Sequence, residues 1–280
     1  MVSEKLLQLP QGKLSYLHNQ HIKGQPNILA IHGWLDNSAS FTPLMNQLQQ
    51  YNWFAIDLPG HGHSFHRPAH CHYHFIDWIT DIVTTHQTLF NGEKVHVVGH
   101  SLGGMLATVL SGLYPELVDK LVLIDAAGLV TQEPDNLAQN MRKALDSRSL
   151  TSKKAKRVHQ TLHSAIDARF SAGDLSKDSA RLLVERNIKS TEHGFEWRTD
   201  PRLRTGSPVR INDKTAEDII RHIQSPTLIC LADSGFDTVK QKLQQYHSAY
   251  SNLEYVNVKG GHHCHMDEAE AVARHIMTFL

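Results

Sequence analysis

Residues 95–104 read Val95-His96-Val97-Val98-Gly99-His100-Ser101-Leu102-Gly103-Gly104, and the fold turns on them. A strand-like run, Lys94–Gly99, enters a Gly-x-Ser-x-Gly pentapeptide. A small-residue helical pattern, Leu102–Leu113, leaves it and stops at Tyr114-Pro115. A serine between a strand and a helix in this pattern forms a nucleophile elbow. The sharp turn holds the serine in a strained backbone conformation, and the flanking glycines let neighbouring strands approach. The following helix aims its free N–H groups and the positive end of its dipole at the same spot.

The same rhythm extends on both sides. Lys5–Leu9 and Lys13–His18 form a hairpin pattern around Gln11-Gly12. Ile28–Ile31 is an apolar run too short for a helix and reads as a buried strand. Ser38–Gln49 has helical spacing, Trp53–Asp57 is a strand, Phe75–Phe90 a helix and Lys120–Asp125 a strand. Strands alternating with helices over short connections predict a parallel sheet covered on both faces. After Gly128 the alternation stops. Residues 131–225 carry amphipathic helical patterns, with 18 Lys/Arg against 13 Asp/Glu. It resumes with Thr227–Leu231, a helix near Val239–His247, Leu253–Val258 and a helix Glu268–Leu280. The predicted organisation is therefore a core of residues 1–130 and 226–280, interrupted by a helical cap at 131–225.

A serine hydroxyl needs a base in reach and a third group to orient that base. Gly260-Gly261-His262-His263-Cys264-His265 follows the last strand, where a base falls if the chain order is Ser…Asp…His. His262 is favoured, with His263 and His265 as alternatives. The oxyanion of an acyl-transfer intermediate needs two N–H donors. The backbone of Leu102 supplies one, and the loop His32-Gly33-Trp34-Leu35-Asp36 the other, through Trp34.

On these pieces the chain resembles an α/β-hydrolase of the serine hydrolase-like, kraken-related branch. The matching runs are His32–Asn37, Asp57–Ser64, Gly99–Gly104, Val118–Asp125, and His262 with His265-Met266, in order along nearly the whole chain. Trp197, Arg198, Asp200 and Pro201 echo the branch as well. The resemblance implies an eight-stranded, mostly parallel sheet with a helical cap after strand 6. It also frames the search for the acid. Most of the superfamily carries it in a Gly-x-x-Asp loop after strand 7, but here Gly235 occupies that position, between Asp233 and Asp237. The loop is similar to that of haloalkane dehalogenases and related luciferases whose acid ends strand 6. That place is Asp125, which is taken as the acid, with Asp233 and Asp237 as alternatives.

The chemistry these residues describe is acyl transfer. A small carboxylic ester is the simplest substrate, with C–C, lactone and thioester hydrolysis using the same parts. The partners are then a small acyl substrate and water, with no cofactor and no metal. A non-catalytic ligand-binding protein on the same fold is the alternative of another class. Lys+Arg and Asp+Glu are equal at 28 each, which gives no global attraction to nucleic acid. No run approaches the ~20 apolar residues of a membrane span, and Met1-Val2-Ser3-Glu4-Lys5 lacks the features of a signal peptide. Three cysteines, Cys71, Cys230 and Cys264, fit a reducing, cytoplasmic setting rather than a disulfide scaffold. The His-rich run 61–74 has no structural-zinc spacing and reads as a polar loop. Asp57 reads as a strand-end residue fixing its own turn, and Lys153–Arg157 as a solvated charge run.

Overall fold

The computed structural model describes residues 2–19, 21–132, 135–151 and 158–280, without the side chain of Thr151. The charge run at 153–157 lies outside the described residues. Eight strands form one sheet: β1 (Ser3–Leu9), β2 (Gly12–His18), β3 (Asn27–Ile31), β4 (Asn52–Ile56), β5 (Val95–His100), β6 (Val118–Ile124), β10 (Thr227–Ala232) and β11 (Leu253–Val258). Their order is β1-β2-β4-β3-β5-β6-β10-β11. The pairs β1–β2 and β2–β4 are antiparallel, and all the others are parallel.

The central strands are apolar on both faces because helices cover both. Leu29, Ile31, Val97, Leu121, Leu123 and Ile229 point into one core layer, while Ile28, Ala30, Val98, Val122, Ile124 and Leu228 point into the other. This is the period-2 alternation of a pleated strand. α1 (Thr42–Gln47), α2 (Phe75–Phe90) and α3 (Leu102–Leu113) belong to the first half of the core. The pattern at Ser38–Gln49 divides into a 3-10 turn, Ser38–Phe41, capped by Asn37, and α1, whose second residue is Pro43. A proline ring is tolerated there because the N–H groups of a helix's first turn have no intrahelical partner.

Between β6 and β10 the chain adds no strand to this sheet. It folds into α4 (Leu137–Thr151), α5 (Leu162–Ser171), α6 (Lys177–Asn187) and α7 (Asp213–Arg221). It also forms a three-stranded antiparallel sheet from β7 (Val158–His159), β8 (Ile188–Thr191) and β9 (Gly194–Trp197), in the order β7-β9-β8. Helices alone were expected here. Strands of two to four residues are too short to print an alternation in the sequence. α8 (Asp237–Tyr246), the short α9 (Cys264–Asp267) and α10 (Ala269–Phe279) complete the chain.

β5 lies in mid-sheet, flanked by β3 and β6. The chain winds outward from β3 in one direction and from β5 in the other. The carboxyl end of β5 is thus a topological switch point, where open α/β sheets form a crevice. The loops after β3, β5, β6, β10 and β11 all open on that edge.

Candidate active site

Ser101 sits between β5 and α3 with φ 52° and ψ −118°. A non-glycine residue there carries strain of about 1–3 kcal/mol, held by its surroundings. Its N–H donates to the Ile124 carbonyl of β6 at 3.1 Å. The glycines around it are steric necessities. A Cβ at Gly99 would lie 2.5 Å from the Gly103 oxygen, and one at Gly103 would collide with the Ile31 carbonyl of β3.

Three side chains from three loops meet in a row. Ser101 Oγ lies 2.8 Å from His262 Nε2, and His262 Nδ1 lies 2.5 Å from Asp125 Oδ2. The assignment that fits both contacts has Nδ1–H donating to the carboxylate and Nε2 accepting from the hydroxyl. Asp125 follows β6 with φ 41°, and its N–H donates to the Cys230 carbonyl of β10 at 2.8 Å. Its Oδ1 accepts from Ala232 N–H at 3.2 Å. The carboxylate occupies the space beside Gly235, where a built Cβ would lie 2.5 Å from both oxygens. Asp233 and Asp237 are exposed, and the Asp237 side chain pairs with Lys240 at 3.9 Å. The Phe236 ring lies 4.3 Å from the His262 ring, centroid to centroid, and Phe236 is 57% exposed.

The two other histidines of the loop turn elsewhere. His265 is fully buried, its ring centroid 4.1 Å from that of His100, and burial pushes its pKa well below the ordinary value. His263 reaches Asp36 Oδ2 through Nε2 and Asp174 Oδ1 through Nδ1, each at 3.1 Å. Burial alone would lower its pKa, but hydrogen bonds to Asp174 and Asp36 prevail and raise it to about 9, against an opposing charge on Arg169. Burial would raise the Asp36 carboxyl, yet the His263 hydrogen bond and charge and the Arg169 guanidinium hold it well below the usual range. Asp36, His100 and His263 bring potential ligand atoms within 4.8 Å of one another. Two carboxylates, one imidazolium and one guanidinium already balance charge there.

The loop after β3 lies against the elbow: a Cβ at Gly33 would sit 2.9 Å from His100 Nδ1. Trp34 is 50% exposed, and its indole N–H donates to the Leu203 carbonyl at 3.0 Å. Leu35 N–H donates to His61 Nε2 at 3.2 Å, and Leu58 N–H to His32 Nε2 at 3.0 Å. Both histidines must therefore be neutral, in keeping with burial, which lowers His32 and brings His61 down to about 3. Leu102 is the first residue of α3, so its N–H has no partner within the helix.

In the His-rich run, His61 is thus a buried structural acceptor, and His63 pairs with Glu4 at 2.7 Å. Among the described residues, no set of three potential metal ligands forms in that run. Asp57 does more than fix its own turn. It accepts from Ser38 N–H at 2.7 Å and His63 N–H at 2.9 Å, and it binds Arg186 of α6 in a fork at 2.8–3.2 Å. Arg186, Arg169 and Asp174 carried no sequence signal, because a contact across 88 to 133 residues leaves no local pattern.

The profile of the alpha/beta hydrolase fold matches residues 26–269. A serine hydrolase-like protein of Danio rerio is 29% identical over 99% of this chain and 88% of its own length. A probable serine hydrolase of Drosophila melanogaster is 31% identical over 92% and 82%. Among solved structures, a hypothetical protein of Pseudomonas aeruginosa PAO1 superposes with a TM-score of 0.92 at 33% identity, covering 99% of this chain and 98% of its own. The thioesterase domain from the curacin biosynthetic pathway gives 0.86 at 25% identity, with 99% of both chains covered. No described helix is long and apolar enough to cross a membrane. The chain belongs to the α/β-hydrolase fold family, in its serine hydrolase-like branch.

Proposed function

We propose that this hydrolase cleaves a small carboxylic ester through an acyl-enzyme on Ser101. The observation that carries the reading is the continuous row from Ser101 Oγ through His262 to Asp125. Ser101 attacks the acyl carbonyl while His262 Nε2 takes its proton. Asp125 holds the imidazole in the receiving tautomer and stabilises the imidazolium that forms. The tetrahedral oxyanion rests on the backbone N–H groups of Leu102 and Trp34. His262 then protonates the leaving alcohol, and water takes the reverse path through the same residues. The segment 131–225 serves as a cap. The half-exposed rings of Trp34 and Phe236 offer apolar walls to the substrate. Thioester cleavage is a second reading, favoured by the likeness to a thioesterase domain over the full length of both chains.

A fluorophosphonate probe followed by mass spectrometry tests the proposal. An adduct on Ser101, absent in Ser101→Ala and in His262→Ala, supports it. Matched oxygen and sulfur esters of graded chain length then separate the two readings. A folded protein that takes no adduct overturns the catalytic reading in favour of a ligand-binding role.

A further inference from the structure

We propose that Asp174 is a positioning residue for His262, so that the base is in place only while the segment between β6 and β10 is docked. This deepens the reading of His262 as the base and rests on it. Asp174 lies between α5 and α6. Its Oδ2 accepts the backbone N–H of His262 at 2.5 Å, and its Oδ1 accepts His263 Nδ1–H at 3.1 Å. The carbonyl of His262 in turn accepts His100 Nε2–H at 2.8 Å. Both backbone groups of residue 262 are thereby held by side chains. The fit leaves no slack, since a Cβ on Gly261 would collide with the Asp174 carboxylate.

The grip is reciprocal. Asp267, five residues beyond His262, accepts Ser176 N–H at 2.9 Å and Ser179 Oγ–H at 2.5 Å at the start of α6. Met266 is buried in a small core with Ala165, Ile166, Leu175, Ala180, Leu183 and others of the same segment. The segment also reaches the loop after β3, where Arg169 donates to Asp36 Oδ1 at 2.9 Å. One stretch, residues 169–179, thus clamps the loop of the base and the loop of Trp34 together. Undocking it releases both.

A displacement of the base by about 1 Å costs on the order of 100-fold in rate. Asp174→Ala is therefore expected to slow fluorophosphonate labelling of Ser101 by roughly 10- to 100-fold. Asp174→Asn keeps an acceptor for His262 N–H and is expected to recover most of the rate, which a merely structural loss would not show. A second readout is the low-field NMR resonance of His262 Nδ1–H, shared with Asp125. It should weaken or move in Asp174→Ala and persist in Asp174→Asn. Should Asp174→Ala fail to fold, Gly261→Ala carries the test, since its methyl displaces the carboxylate, and labelling must slow comparably. If wild type takes no label but the resonance responds as stated, the nucleophile reading fails and the positioning role stands. Labelling of Asp174→Ala within twofold of wild type with an unmoved resonance, or an Asn variant no better than Ala, overturns the proposal.

Discussion

A single methyl group at Gly235 provides the sharpest test of where the acid lies. Built on the native backbone, that methyl lies 2.5 Å from both oxygens of Asp125. A carbon–oxygen contact relaxes to about 3.3 Å, so the carboxylate must retreat by about 0.8 Å. Both oxygens are equally crowded, and rotating the carboxylate relieves neither. Such a retreat disturbs the 2.5 Å contact with His262 Nδ1, and a displacement directed away from the ring takes it to as much as about 3.3 Å, past the ordinary hydrogen-bond range. It also strains the 3.2 Å bond from Ala232 N–H. Gly235 is not in the left-handed region, so an alanine backbone is accommodated and the effect belongs to the methyl. Gly235→Ala is expected to slow labelling of Ser101 on the order of 100-fold, while overpacking costs about 1–3 kcal/mol of stability. The assay is the second-order labelling rate beside a thermal melt, repeated in an Asp125→Ala background. There the methyl meets no carboxylate and should change the rate by less than about twofold. An unchanged rate in the single variant, or the same large loss in both backgrounds, would refute the argument.

Two further predictions concern stability. The His263 imidazolium is held between Asp36 and Asp174 and raised to about 9, against about 6.5 for a free histidine. Because the folded state binds this proton more tightly, its contribution of about 3 kcal/mol is complete below pH ~6.5 and disappears as pH rises through about 9. The melting-temperature advantage of wild type over His263→Gln should shrink across that window, and an advantage that grew with pH would contradict the assignment. Arg186→Ala strands the fully buried Asp57 carboxylate without its partner, at a cost of about 3–5 kcal/mol. Urea unfolding measures it, and a much smaller effect in an Asp57→Asn background would tie the loss to that pair.

Features written locally in the chain were legible in it. The elbow is a backbone device of five residues, and the alternation of strands and helices runs on both sides of the interruption. Features decided by packing were not. His262, His263 and His265 lie within four residues, and only the turn at Gly260-Gly261 sends one to Ser101 and another to Asp36. On sequence Asp125 is favoured as the acid, but Asp233 and Asp237 stay open as alternatives. The space beside Gly235, filled by a carboxylate arriving from β6, is a tertiary fact. Arg169 sits in the last turn of α5 and Asp174 just beyond it, among ordinary residues, and their roles arise only when the segment folds back on the sheet. The strands β7–β9 are too short to announce themselves. The turn at Asp57 is visible in the sequence, but its arginine lies 129 residues away.

The contact between Asp174 and His262 spans 88 residues of chain, and that between Ser176 and Asp267 spans 91. A ribosome therefore delivers the elbow, the acid and the clamp well before the loop they await. During that interval the small core around Leu183 has no Met266 to fill it, and Asp174 has no backbone amide to hold. On the proposed mechanism the growing chain then carries a strained serine without the base that takes its proton, until the loop of residue 262 has been made and has met the segment around Asp174.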